Sequence, residues 1–540
     1  MSFFELVRRE MQGSLTRLLV MSGLGGASNA AILSAVNSGA QAAGGGKADL
    51  WSAALFVVSL LLFIKAQHYI LISATIEIEA IIHKLRVRLM DQVRRSELVP
   101  LDAIGRAGIV AAITRDTATL TQATSMVAFA AQSAVLIFFI AIYIAYLSLL
   151  AFGLTILIIG VAALLIHLKS RDITAGARQA AEWDNRLFDR LTDLLDGFKE
   201  VRLNSARSDE LFDDIVEVSR LAANIRIRTQ SETFKRLVLS QSSVYILLGA
   251  IVFVAPVLAG TQPETLAKTT TATLFVVGAC FGFVQSIPIL TAANAAADNI
   301  ERLEARLRAT TADALAGPVQ PLSQFEKIEI RAAVFRYVDK SSEAGFQVGP
   351  IDFTLRRGEL VFITGGNGSG KSTFFRLLAG LYHPDGGEIT LDGAPVTDST
   401  RDAYRSLFAA NFVDYHLFQR LYGIADASPS EIDQLLMQFR LRDKTRLSDG
   451  EFSTIDLSGG QRRRLALIVS LLEKRPILLL DEWTAEQDPE FRRKFYDELL
   501  PALMRAGATV VAITHDDRYL KELDMPARRL RMDEGRFVET

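Results

Sequence analysis

Gly365-Gly366-Asn367-Gly368-Ser369-Gly370-Lys371-Ser372-Thr373 is the stretch on which the reading of this chain turns. The spacing is that of a phosphate-binding P-loop, with four residues between Gly365 and Gly370, followed by Lys and Ser. An apolar run, Leu360–Thr364, precedes it, and a helix-forming run, Thr373–Ala379, follows it. That is the strand–loop–helix context the motif needs. Glycines let backbone N–H groups close around phosphates, and the helix start adds a favourable dipole. Lys371 is then expected to reach the β- and γ-phosphates of ATP, and Ser372 to ligate Mg²⁺.

Working outward, Ile477-Leu-Leu-Leu480 ends in Asp481 and Glu482. An apolar strand tip is a costly place for two carboxylates unless a metal or a reaction uses them. Asp481 is expected to hold Mg²⁺ through water, and Glu482 to polarise an attacking water. Leu360–Thr364, Ile477–Leu480 and Thr509–Thr514 read as buried parallel strands of an α/β domain.

Leu457-Ser458-Gly459-Gly460-Gln461 separates one class of P-loop proteins from the rest. With it the chain resembles the ATP-binding cassette (ABC) ATPases. The resemblance implies that Ser458, Gly459, Gly460 and Gln461 meet the γ-phosphate of ATP held by another subunit's P-loop. Thr514-His515-Asp516 looks like the ABC switch, with His515 on the γ-phosphate. Asp488 is similar to the D-loop aspartate, and Tyr337 to the aromatic that stacks on adenine. One position departs from the pattern. In Phe412-Val413-Asp414-Tyr415-His416-Leu417-Phe418 the expected Q-loop glutamine is Val413. Asp414 or water is left to supply what that amide supplies elsewhere.

The other half of the chain is of a different kind. The 540 residues exceed one hydrophobic core, and half of them are hydrophobic. The net charge of −2 carries no sign of a nucleic-acid partner. The single cysteine, Cys280, forms no intrachain disulfide and reads as a small apolar-site residue. Six stretches are long enough to cross a bilayer, which takes roughly 20 apolar residues. They are Leu15–Asn37, Leu50–Ser73, Met126–Tyr146, Leu149–Leu168, Leu237–Gly260 and Thr271–Leu290. The first is diluted by Ser22, Gly23, Gly25, Gly26, Ser28 and Asn29, which can let helices approach closely. A signal-peptide reading of Leu15–Val36 fails, because cleavage leaves an odd number of spans and an ATPase outside.

Charge orients these spans. Thr75–Thr124 carries Lys84, Arg86, Arg88, Arg94, Arg95, Arg106 and Arg115, and Lys169–Arg236 is similarly basic. The short connections hold little beyond Lys47 and Lys268. The positive-inside rule makes the long segments and both termini cytoplasmic. Helical periodicity in Ile76–Val93 and Glu182–Leu221 predicts helical extensions of the spans, with turns at Pro100–Gly105 and near Asn204–Ser208. Lys65, Gln67 and His68 inside a span are expensive there, and are candidates for a substrate path or, for Lys65, for snorkelling. Gln132, Gln241 and Gln285 are weaker candidates.

The expected fold is therefore multi-domain. An all-α transmembrane domain of six helices occupies 1–308, a Gly/Pro-containing linker 309–324, and an α/β nucleotide-binding domain 325–540. Asp481-Glu-Trp483-Thr-Ala-Glu-Gln-Asp-Pro489 and Leu195-Asp-Gly-Phe-Lys-Glu-Val-Arg-Leu-Asn204 resemble the bacterial cyclic-peptide and siderophore-peptide exporters. That group includes the pyoverdine and syringomycin exporters and a microcin-extruding relative. The resemblance implies a homodimer in the bacterial inner membrane that exports a cyclic, lasso or microcin peptide, or a siderophore precursor. A lipid or glycolipid flippase or a multidrug exporter has the same architecture and stays open. A soluble two-cassette ATPase is excluded by the apolar spans. Without a cysteine before Cys280, cysteine-protease processing of a leader is not expected.

Overall fold

The apolar stretches of the N-terminal half all fold as helices, because a backbone placed in lipid must satisfy its own hydrogen bonds. In this computed structural model the described residues are 2–10, 15–44, 49–168, 170–259, 262–310, 320–337, 346–424 and 427–538. The helices of this half are α1 Phe3–Glu10, α2 Leu15–Gly44, α3 Leu50–Arg95, α4 Leu98–Ile104 and α5 Arg106–Ala111. A π-helical turn, Ala112–Asp116, leads into α6 Thr117–Leu147. Then come α7 Leu149–Leu168, α8 Ser170–Asp196, α9 Phe198–Leu203, α10 Ser205–Gly249, α11 Ala255–Ala259 and α12 Pro263–Thr310. The chain divides into two compact units, Met1–Asp91 with Arg106–Arg306, and Gln92–Gly105 with Leu307–Thr540. The expected linker lies mostly outside the described residues.

Among the described residues four helices are long and apolar enough to cross a membrane: Leu50–Arg95, Gly108–Leu147, Ser205–Leu258 and Pro263–Ala309. The other two expected spans fall on α2, which its Ser and Gly residues dilute, and on α7, whose described apolar stretch is Leu149–Val161. The predicted extension Ile76–Val93 is continuous with its span inside α3. The expected turn at Pro100–Gly105 is instead the short helix α4, ended by Gly105 at a φ of 82°. Pro100 is tolerated there because it sits in the first turn, where its missing N–H has no helical partner to lose.

Within the first unit Leu33, Leu136, Ile140, Leu247, Ile251 and Val276 form a common apolar core. The charged ends of three helices are tied by ions. Arg88 of α3 pairs with Glu10 of α1 at 2.8 Å and with Glu304 of α12 at 2.9 Å. Both carboxylates are buried, so the pairing is needed to offset their desolvation.

The second unit builds a six-stranded sheet. Its strands include β1 Lys327–Arg336, β2 Gln347–Arg356, β3 Leu360–Thr364, β4 Gly386–Leu391, β5 Ala394–Pro395, β6 Phe408–Asn411, β7 Leu447–Ser448, β8 Glu451–Phe452, β9 Ile477–Asp481, β10 Thr509–Ile513, β11 Arg528–Asp533 and β12 Arg536–Val538. The main sheet runs β12-β11-β3-β10-β9-β6, parallel except at β12, and β2-β1-β4-β5 form an antiparallel sheet. Alternate strand residues feed opposite cores, as the period of two requires. Phe362, Leu480 and Val510 enter one core, with Trp483 and Phe491. Val361, Leu479 and Val511 enter the other, with Phe374 and Phe375. The helices of this unit are α13 Lys371–Leu378, α14 Arg401–Arg405, α15 Pro429–Gln438, α16 Gly459–Leu472, α17 Pro489–Lys494, α18 Leu500–Arg505 and α19 Asp517–Glu522.

The small residues of α2 have a measurable role. A Cβ on Gly26 comes within 2.3 Å of the Val135 side chain on α6, whereas one on Gly23 meets nothing within 4 Å. Gly26→Ala should therefore cost about 1–3 kcal/mol and lower the melting temperature of the purified protein. Gly23→Ala should leave it unchanged. Equal melting curves for the two variants would remove the close α2–α6 contact.

Candidate nucleotide site

The P-loop residues wrap the N-terminus of α13, at the end of β3. Gly365 has a φ of 148°, and a Cβ there would come within 2.2 Å of the Met532 carbonyl oxygen. Gly370 has a φ of 100°, in the left-handed region that disfavours other residues. These two positions require glycine, which is why the loop can bring its N–H groups together. Lys371 folds onto the loop's own carbonyls, at 2.9 Å from Gly365 and 2.7 Å from Gly366. Burial pulls its ammonium below the ordinary range, and Glu482 and Asp481 oppose that shift. Phosphate oxygens would replace carbonyls with stronger, charge-assisted partners.

Tyr337, Phe346, Asn367, Gly368, Ser369, Gly370, Lys371, Ser372, Thr373, Val413 and Glu482 line one cavity of about 670 Å³. This brings together residues that lie far apart in the sequence. Tyr337 is held by its hydroxyl, 3.0 Å from Thr373 Oγ1, and by edge contact with Phe335. Its ring forms part of the wall, in keeping with the expected base stacking. Val413 lies on the same wall, and its side chain has no polar atom to offer a metal. Asp414 is engaged elsewhere, by Arg376 of α13 at 3.0 Å. Asn411, the last residue of β6 before this loop, is buried, and its Nδ2 has no hydrogen-bond partner.

The two acids stand where parallel strands end. Asp481 is paired in register with Ile513, and the N–H of Glu482 donates to the Ile513 carbonyl at 3.0 Å. Burial pushes the Asp481 carboxyl up, and a hydrogen bond from Ser372 partly offsets it. Asp481 Oδ1 is buried without a hydrogen-bond partner. A hydroxyl and a carboxylate with an unfilled lone pair are hard oxygen donors suited to Mg²⁺. Ser372 and Asp481 therefore fit the metal that the P-loop implies. Glu482 Oε1 lies 3.3 Å from His515 Nε2, so the expected base and switch histidine meet. Behind them Thr484 and Tyr496 donate to Asp516 at 2.7 and 3.2 Å. Burial pushes Tyr496 up to about 12, so it remains a donor.

The signature residues are on a different surface. Ser458 precedes α16, and its N–H donates to Gln461 Oε1 at 3.2 Å. Ser458 and Gly459 are exposed, and among the described residues none of Ser458–Gln461 lines the P-loop cavity. Asp488 caps α17 by accepting from the Phe491 N–H at 2.8 Å, and it pairs with Arg464. Lys65 and His68 are exposed on α3, whereas Gln67 Oε1 is buried without a partner. The sequence reading missed the buried pair Arg463 and Arg464 behind the signature. Their only signal was a run of three arginines, Arg462 to Arg464, at the start of an otherwise apolar helix.

Asp481 costs stability where it is charged. Its folded carboxyl binds a proton more tightly than an unfolded one, so its favourable contribution belongs to low pH and is lost as pH rises through the folded value. Asp481→Asn should raise the melting temperature of the metal-free protein at neutral pH by about 2–4 °C. The gain should shrink as pH falls through the raised folded value and be gone below about 3.9. A variant less stable than the parent at neutral pH would show that the carboxylate is already compensated.

Residues 348–485 match the ABC transporter family. Over 361 residues the chain is 38% identical to the ATP-binding protein SyrD of Pseudomonas syringae pv. syringae, a match taking in 64% of this chain and 62% of that protein. It is 32% identical over 217 residues to the Nod factor export ATP-binding protein I of Burkholderia thailandensis, which covers 38% of this chain and 68% of the relative. The chain thus spans about three fifths of the first relative's length. A solved bacterial Atm1-family ABC exporter with ATP bound shares the fold, with a TM-score of 0.78 over 97% of this chain and 95% of that one, at 18% identity. This chain belongs to the ABC transporter family.

Proposed function

We propose that this chain is an ATP-hydrolysing half-transporter that pairs with a second copy of itself and exports a peptide-like compound across the bacterial inner membrane. The observation that carries the reading is the cavity in which the P-loop, Lys371, Ser372 and Glu482 converge, in a chain that also holds membrane-length apolar helices. The resemblance of Asp481–Pro489 and Leu195–Asn204 to peptide exporters supports cyclic, lasso or microcin peptides, or siderophore precursors, as cargo. Basic loop segments support cytoplasmic termini.

In this reading ATP enters against Tyr337, and its phosphates take over the Lys371 ammonium from Gly365 and Gly366. Ser372 and Asp481 would hold Mg²⁺, which would supply charge neutralisation to the phosphates. Glu482 orients the attacking water, and His515 bridges from Glu482 towards the γ-phosphate. The surface at Ser458–Gln461, exposed at Ser458 and Gly459, closes over the P-loop of a second copy, giving two composite sites. Lys65, Gln67 and His68 are proposed for the cargo path.

Coupling is supported from within the second unit. Glu97, just before α4, reaches Arg405 at 2.5 Å and Arg401 at 3.7 Å. Leu98 packs on the cluster of Phe335, Leu377 and Tyr382, and Phe335 and Tyr382 both contact Tyr337. A segment from between the membrane helices therefore sits one residue shell from the expected adenine position.

Glu482→Gln should retain ATP binding and lose at least about 10²-fold in steady-state ATPase rate, measured on the purified protein in lipid. Full activity would remove Glu482 from its role. In the same preparation ATPase stimulation is expected from cyclic peptides or siderophore-type peptides. Stimulation by lipids alone would favour a flippase.

A further inference from the structure

We infer that Arg463 is a positioning residue for hydrolysis, holding the backbone of Glu482 from the helix that carries the signature. The inference rests on the functional reading above and deepens it. Arg463 is 5% exposed, in the first turn and a half of α16. Its Nη1 donates to the Glu482 carbonyl oxygen at 2.6 Å. Its Nε lies 3.1 Å from a Glu486 carboxylate oxygen. In return the Trp483 indole N–H donates to the Arg463 carbonyl at 3.0 Å.

Glu482 needs such a hold. Its φ is +49°, a left-handed conformation that disfavours a residue with a Cβ. The strained residue is gripped at both ends, its N–H by β10 and its carbonyl by Arg463. With the backbone fixed, the side chain is aimed at His515. A charged donor is well suited to the task, since hydrogen bonds to charged groups are the stronger ones. Arg464 next door, also buried, goes to Gln487 and Asp488 instead, so the reach to Glu482 is particular to Arg463. The same contact gives α16 two duties. Its N-terminus faces the second copy's ATP, and Arg463, one turn further on, sets the carboxylate for its own. Closure at one site is thereby transmitted to the geometry of the other.

The test uses the full chain in lipid. Arg463→Gln should lower kcat on the order of 10- to 100-fold, with KM for ATP and the affinity for a non-hydrolysable analogue within about twofold of the parent. Arg463→Lys should recover part of the rate, because an ammonium can still donate to the carbonyl. Amide hydrogen exchange over 482–487 should quicken in Arg463→Gln without nucleotide. An unchanged kcat would overturn the inference, as would equal losses in kcat, ATP affinity and melting temperature with no rescue by Lys. Should the parent itself lack ATPase activity, the functional reading fails; unchanged exchange over 482–487 would then separately refute the Arg463 contact. If Arg463→Gln does not fold, Glu486→Gln, which frees the other anchor of the guanidinium, is expected to give a smaller kcat loss of the same kind, and an unaltered kcat there counts against the role.

Discussion

Two adjacent carboxylates at the tip of a fully buried strand are the constraint on which the rest of the nucleotide-binding unit depends. β9 is apolar on both faces, and charge at its end is tolerated only where something compensates it. Ser372 and Lys371 supply part of that compensation to Asp481. His515 and the neighbouring strand end supply position to Glu482. P-loop, switch and signature helix all converge on this strand tip, because a parallel sheet delivers its loops to one edge.

The missing amide at Val413 changes how the following loop is held. Where a polar side chain would face the metal, an aliphatic one lines the cavity. Asp414 is tied to Arg376, which also donates to the Tyr382 hydroxyl at 3.0 Å. Tyr382 in turn belongs to the aromatic group that meets both Tyr337 and Leu98. The loop is thus linked to the nucleotide helix through an ion pair and an aromatic cluster. An exposed ion pair alone contributes little.

The membrane unit obeys a different solvent. Its helices gain little from burying apolar groups against one another in lipid, so close approach at small residues matters more. Gly26 under Val135, and Gly282 under the Phe129 ring, show this packing. The polar ends of the same helices are organised by buried ions, with Arg88 between Glu10 and Glu304. Removing one member would leave an uncompensated charge.

The amino-acid sequence by itself determined the motor. Spacing and context pointed to Lys371, Ser372, Asp481 and Glu482, because phosphate, metal and water each demand a residue type at a set distance along the chain, whereas His515 came from the family resemblance. Strand positions were legible for the same reason, since a short apolar run between loops has few other uses. The spans were legible from length and apolarity, although α2 and α7 carry weaker signals than the other four helices. Contacts between distant segments were not. A short helix at Leu98–Ile104, grouped with the second unit, looked like a turn around Pro100. Asp414 had an open partner until folding brought Arg376 beside it. Arg463 read as one basic residue in a row of three, and only the packing of α16 against the end of β9 turned its guanidinium to the Glu482 carbonyl. Local chemistry is written in spacing, but the partner of a buried charge is chosen by which elements the core packs together.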